Sequence, residues 1–309
     1  MKLAVIGPGS MGLLYGGKLS AVTDTILVGN NLANLKEINT HGVTILRGEQ
    51  AVTCPVKAVL NGALCEPADV ILLFTKAYLT QEALEANRAL IGKDTFLLTL
   101  QNGKGHEGTL LQFTDEHHIL IGTTAQGSSR RNAHTIVHSG LGDTVFGALR
   151  SELLQEKTFA ETAEKIRDVL ERAGFPCFLS DNIAFTVWNK LMINASSSVL
   201  SGILQKPQGY VMENPWAWLI CKKLIREICD AAAGEGCFFD REEQTERICS
   251  HLRNAPEGYT SIYSDLNAGR RTEVDVISGA VVDAAKRQGK EAPVSELMVQ
   301  LVHAMEPQL

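Results

Sequence analysis

Residues 2 to 12, KLAVIGPGSMG, constrain this chain more than any other stretch. Lys2 to Ile6 is a short apolar run containing β-branched residues, and it reads as a buried strand. Gly7-Pro8-Gly9-Ser10-Met11-Gly12 follows at once and fits G-x-G-x-x-G. Leu13, Leu14, Tyr15 and Leu19 then recur at helical spacing. Strand, glycine turn and helix together form the setting in which this motif binds a dinucleotide. Gly7 permits the tight turn and Gly9 lets a pyrophosphate approach the backbone. Gly12 lets the helix pack on the strand, with its N-terminal N–H groups facing the anion. The competing reading is a glycine turn in some other α/β protein.

The rest of the first half supports a parallel α/β sheet. Thr25–Gly29 is a second strand, and its end is where such folds meet the adenine ribose, about 20 residues after the glycine loop. An acid there binds a 2′-hydroxyl and an arginine a 2′-phosphate. Asn30-Asn31 supplies neither charge, so the motif does not decide between NAD and NADP. Lys36 is close enough in sequence to be a substitute cation, but it is expected rather on an exposed helix face. Residues 42–55 look like a hairpin around Glu49. Asp69–Thr75 is a near-continuous apolar strand, as a central parallel strand should be. Lys76 follows at its carboxyl end, where open α/β sheets bind ligands. Thr95–Leu100 is another buried strand, and Gln101-Asn102-Gly103 is its exit turn. Asn102 is either a turn residue or a ligand contact. Residues 119–124 form a further strand, and residues 135–147 read as a second hairpin around Gly140–Asp143.

From Asn182 strand-like alternation gives way to long 3.6-residue periodicity, with helices expected at 183–203, 213–235, 240–253, 270–288 and 294–304. This places a domain boundary near 180: residues 1–180 a dinucleotide-binding domain, residues 181–309 an all-helical one. Within the first helix Lys190, Asn194 and Ser198 fall at i, i+4 and i+8, on one face. A cation, an amide and a hydroxyl there form either a solvated stripe or a site. Flanking Leu191, Met192 and Ile193 favour partial desolvation, which tunes a lysine towards proton transfer. Ser261, Ser264 and Glu273 lie in what reads as a polar loop leading into a charged helix start, where Thr272 and Glu273 could simply cap.

A net charge of −6 gives no electrostatic reason to expect nucleic acid. No apolar run approaches the roughly 20 residues of a membrane span, and the N-terminus enters a strand directly, so a cytoplasmic protein is expected. Seven widely spaced cysteines, none in C-x-x-C, argue against a disulfide framework or zinc site. Cys221 and Cys229 are expected in the core. The adjacent His117 and His118 are expected to be solvated rather than metal-binding, and no metal is predicted.

Taken together, the N-terminal glycine loop, Lys76-Ala77, Gln101-Asn102-Gly103, W-x-K-L-x-x-N (Trp188–Asn194) and R-x-T-E-V-D-x-I-x-G (Arg270–Gly279) resemble the ketopantoate reductase (2-dehydropantoate 2-reductase) family, in the same order over nearly the whole chain. The resemblance implies a Rossmann-like domain followed by an all-α domain like the C-terminal domain of 6-phosphogluconate dehydrogenase, with the active site in the cleft between them. It implies NAD(P)H-dependent reduction of ketopantoate to pantoate, a step of pantothenate biosynthesis, with NADP as cofactor and NAD as the alternative. Lys190 matches the family's catalytic lysine, and Glu273 the glutamate that helps hold cofactor and substrate. Cofactor-side residues are Gly7, Gly9, Ser10, Met11, Gly12, Asn30, Asn31, Lys76, Asn102, Ser128 and Glu273. Substrate-side residues are Asn102, Lys190, Asn194, Ser198, Ser261 and Ser264. Two positions depart from the family: Asn30 or Asn31 stands where an arginine is usual, and Ser198 where a substrate-binding asparagine is usual. The alternatives are a reductase of another 2-oxo acid or a non-catalytic dinucleotide-binding protein. The expected partner is a small-molecule 2-oxo acid, with a homodimer as one option and neither nucleic acid nor membrane.

Overall fold

The computed structural model describes residues 1–63 and 66–307; Cys65 lies outside them. The chain divides into two compact units, Met1–Gln101 with His106–Thr186, and Asn102–Gly105 with Val187–Leu309.

The first unit is built on strands β1 (Lys2–Ile6), β2 (Asp24–Gly29), β3 (Val43–Arg47), β4 (Gln50–Cys54), β5 (Lys57–Leu60), β6 (Val70–Leu73), β7 (Phe96–Thr99), β8 (Ile119–Thr124), β9 (Gly127–Arg130), β10 (Thr135–Gly140), β11 (Thr144–Ala148) and β12 (Cys177–Leu179). Its helices are α1 (Ser10–Ser20), α2 (Leu32–His41), α3 (Thr80–Ala86), α4 (Glu107–Leu110) and α5 (Lys157–Arg172). Eight strands form one sheet in the order β12-β11-β8-β7-β6-β1-β2-β5. Its pairings are parallel apart from β11 with β8. The central strands are buried along their length, which is why they read as unbroken apolar runs. Strand order reverses at β1, with β2 on one side and β6 on the other. The carboxyl ends of β1 and β6 therefore form the switch point at which such sheets bind ligands.

The hairpin expected within 42–55 is present as the antiparallel pair β3–β4. The one expected at 135–147 is not. β10 pairs with β9 and β3 in a separate four-stranded sheet, whereas β11 pairs with β8 and β12 in the large sheet. Alternation marks a strand but not its partner, and β9, with its short polar GSSR sequence, carried no strand signal.

The second unit is helical among the described residues: α6 (Ile183–Ile193, entering from the first unit), α7 (Val199–Leu204), α8 (Gly209–Glu213), α9 (Pro215–Ala233), α10 (Arg241–Asn254), α11 (Ser261–Asn267), α12 (Val274–Arg287) and α13 (Pro293–Met305). Its core gathers Trp188, Leu191, Leu224, Ile228, Ile248, Ile277 and Val281. Cys221 and Cys229 are buried in it, as expected. Two expectations change. The stretch expected as a polar loop at Ser261 is helix α11, its N-terminus capped by Thr260, whose Oγ1 accepts from Tyr263 N. The helix expected over 183–203 is interrupted by a π-helical segment at Asn194–Ser198. Ser196 and Ser197 there donate their hydroxyls to the carbonyls of Met192 and Ile193, four residues back. Such bonds compete with the backbone N–H groups for the same carbonyls and loosen the regular helical register. No helix among the described residues is long and apolar enough to cross a membrane.

Candidate active site

Each glycine of the loop after β1 has its own reason. Gly7 has φ +96°, and a Cβ there would lie 2.6 Å from Thr75 N. A Cβ on Gly12 would lie 2.0 Å from Gly7 O, so only glycine lets α1 sit against the loop. A Cβ on Gly9 meets nothing within 4 Å. Gly7 and Gly12 are thus required by the fold, and Gly9 leaves an open cradle. Ser10, Met11 and Gly12 form the first turn of α1, where backbone N–H groups have no helical partner. Open space, unsatisfied donors and the helix dipole fit a dinucleotide pyrophosphate.

Around this loop the first unit assembles the other nucleotide-side residues. Gly7 N donates to Val28 O at 3.0 Å, pinning the loop to the end of β2. Asn30 and Asn31 are exposed there. Asn31 Oδ1 accepts from Asn34 N at 3.0 Å and caps α2, so its side chain already has a structural role. Lys36 is exposed, as expected. Lys76 is half-buried just beyond β6, before a 3₁₀ turn at Ala77–Leu79. Buried Gln101 holds that segment: its Nε2 donates to Thr75 O at 2.7 Å and to Thr80 Oγ1 at 2.9 Å. Ser128 on β9 donates Oγ to Ser10 O at 3.2 Å, which places it on the glycine loop.

In the second unit, Lys190 sits in the last turn of α6, half-buried. Burial lowers its ammonium to a pKa of about 8, against an opposing pull from the Glu273 carboxylate. A lysine in that range exchanges protons near neutrality. Glu273 occupies the N-cap position of α12 without a side-chain capping bond. Thr272 Oγ1 instead accepts from Val274 N. Asn102 also belongs here. Lys104 N donates to Val276 O at 2.9 Å, and Gly103, at φ +97°, comes so close to Val276 O that a Cβ would lie 2.4 Å away. The turn carrying Asn102 is therefore seated on the start of α12, at Val276.

The π segment changes the expected stripe of Lys190, Asn194 and Ser198. Spacing of i, i+4 and i+8 keeps residues in line only at 3.6 residues per turn, and the wider turn at Asn194–Ser198 breaks that register. Asn194 remains half-buried and Ser198 is buried. Thr260 Oγ1 donates to Ser198 O at 3.2 Å, which ties the start of α11, and with it exposed Ser261, to the π segment. Ser264 donates its hydroxyl to Thr260 O.

Nothing in the residue spacing marks Glu235, yet it is the hub of this unit. Its Oε2 accepts from Trp188 Nε1 at 3.0 Å and pairs with Lys104 Nζ at 2.9 Å; its Oε1 pairs with Arg287 at 2.7 Å. It thereby joins the α6 turn before Lys190, the loop after Asn102 and the end of α12. The available signal was Trp188, since a buried indole N–H needs an acceptor. Burial pushes the Glu235 carboxyl up, but the bonds from Arg287, Lys104 and Trp188 outweigh it and hold the pKa below the usual range. Glu235→Ala leaves the Trp188 N–H unpaired and should cost about 1–3 kcal/mol in chemical denaturation. The stabilisation from the carboxylate is complete above the ordinary carboxylate range and disappears as pH falls through the lowered native value. Denaturation between pH 3 and 7 should accordingly show a steeper acid loss in the wild type than in Glu235→Gln; equal slopes would contradict the hub.

Residues 3–151 match the family model described as ketopantoate reductase PanE/ApbA, and residues 182–306 match its C-terminal counterpart. A 2-dehydropantoate 2-reductase of Pyrococcus horikoshii is 29% identical over 306 residues, covering 99% of this chain and 98% of the relative. One from Streptococcus pyogenes serotype M1 is 28% identical over 309 residues, with the same coverage. The solved ternary structure of D-mandelate dehydrogenase with NADH and anilino(oxo)acetate matches with a TM-score of 0.91 at 27% identity, covering 99% of this chain and 98% of that one.

Proposed function

The chain belongs to the ketopantoate reductase family, and from that premise we propose that it reduces ketopantoate to pantoate with NADPH. The observation that carries this reading is Lys190: an ammonium whose pKa burial has lowered to about 8, opposed by Glu273. When bound, the nicotinamide dinucleotide supplies the hydride. Gly9 and the first-turn N–H groups of Ser10, Met11 and Gly12 hold its pyrophosphate, with Ser128, Lys76 and Asn102 as further cofactor-side residues. As the keto carbon of the substrate gains the hydride, negative charge develops on its oxygen. Lys190 stabilises that charge and delivers the proton. Asn194 and Ser261 bind the rest of the substrate, with Ser198 and Ser264 as neighbouring hydroxyls. Glu273, an acceptor when ionised, suits a substrate hydroxyl.

A second reading, NADH-dependent reduction of a bulkier 2-oxo acid, is favoured by Asn30-Asn31 and by the similarity to a D-mandelate dehydrogenase. Oxidation of NADPH and NADH, followed with ketopantoate and with an aryl 2-oxo acid, separates the two. Highest kcat/KM for ketopantoate supports the first reading. Preference for the aryl acid supports the second, and turnover of neither acid overturns both.

A further inference from the structure

We propose that Arg130 is the cation that recognises the 2′-phosphate of the dinucleotide, in place of the arginine that Asn30-Asn31 lacks. This rests on the functional reading above and adds to it a residue on another strand.

Ser128 and Arg130 stand two apart on β9, so they share a face of the strand. Both reach the glycine loop: Ser128 Oγ donates to Ser10 O at 3.2 Å, and Arg130 NH1 to Pro8 O at 3.5 Å. Pro8 in turn lies against the end of β2, since a Cβ on Gly29 would come within 2.6 Å of Pro8 Cγ. The guanidinium thus sits on Pro8, the loop residue that packs against the end of β2, where such folds meet the adenine ribose. It is also fixed there, with Nε donating to Asn132 O at 2.7 Å and NH2 to Ala133 O at 3.1 Å.

Arg130 is exposed, and among the described residues no ion pair occupies its charge. Partial burial of the guanidinium lowers its pKa, with no carboxylate acting on it. Three of its five N–H donors go to backbone carbonyls, which leaves two for a ligand. An exposed guanidinium, held in place by backbone carbonyls beside an anion-binding loop, is preorganised to take an anion. A phosphate takes such a fork in paired charge-assisted bonds.

Equilibrium binding of NADPH and NADH, read by quenching of protein fluorescence, tests the assignment without reference to turnover. The wild type should bind NADPH more tightly than NADH. Arg130→Gln should raise Kd for NADPH at least 10-fold and change Kd for NADH less than about 2-fold. Arg130→Lys should recover part of the loss. Arg131→Gln, at the adjacent exposed position, should leave both constants unchanged. An unchanged NADPH-to-NADH ratio in Arg130→Gln, or equal weakening of both, would overturn the assignment, equal weakening pointing to the pyrophosphate instead. Wild-type protein that binds neither nucleotide would overturn the functional reading itself, which keeps the two failures apart.

Discussion

Lys190→Ala should lower kcat for 2-oxo acid reduction by at least about 10²-fold, the low end expected for loss of a positioned general acid. The ammonium acts on charge that exists only as the keto oxygen becomes an alkoxide. Its removal should therefore lower kcat and kcat/KM together. The nucleotide loop is made by β1, α1 and β9, so Kd for NADPH should barely change. Asn194→Ala should behave differently. An amide that holds the substrate in both ground and transition states should raise KM more than it lowers kcat. Near-wild-type kcat in Lys190→Ala would remove the proposed chemistry and leave a dinucleotide-binding protein.

Gly9→Val should abolish dinucleotide binding while sparing the fold. A Cβ at Gly9 meets no protein atom within 4 Å, so a valine there has room, and the room it takes is that of the pyrophosphate. Gly12→Val makes the contrast, because its Cβ would be driven into Gly7 O at 2.0 Å. That variant should lose stability by about 1–3 kcal/mol or more, as overpacked sites do. Thermal unfolding distinguishes the two: Gly9→Val should melt near the wild type and Gly12→Val well below it. Unchanged NADPH affinity in Gly9→Val would refute the loop assignment.

Much of the fold is legible in the sequence because its signals are local. A strand, a glycine turn and a helix in the first 20 residues require no long-range information. Runs such as Val70–Leu73 and Phe96–Thr99 announce buried parallel strands by having no polar face. The failures come where partners decide. The alternation at 135–147 marked two strands correctly, but they join different sheets, and nothing within a strand says which neighbour it will take. β9 was invisible because GSSR has neither apolar alternation nor β-branched residues, although it brings Ser128 and Arg130 to the loop.

The site divides in the same way. Lys190, Asn102 and Glu273 stand in motifs with a chemical reason, and the structure places Asn102 beside the start of α12 and Glu273 within electrostatic reach of Lys190. The Lys190–Asn194–Ser198 stripe assumed an unbroken α-helix. Three consecutive serines, two of them bonded back to carbonyls, are the physical reason that assumption fails. Glu235 could not be found by spacing, because its three partners come from Lys104, Trp188 and Arg287, far apart in the chain.

The pH dependence of kcat for ketopantoate reduction at saturating NADPH tests most directly whether Lys190 donates the proton. A donor must be protonated when the hydride arrives, and burial places this ammonium at a pKa of about 8. The predicted profile is level below that value and falls about tenfold per unit above it, a break that Lys190→Ala should lack. A wild-type rate that stays level from pH 7 to 10, or the same break persisting in Lys190→Ala, would contradict the account.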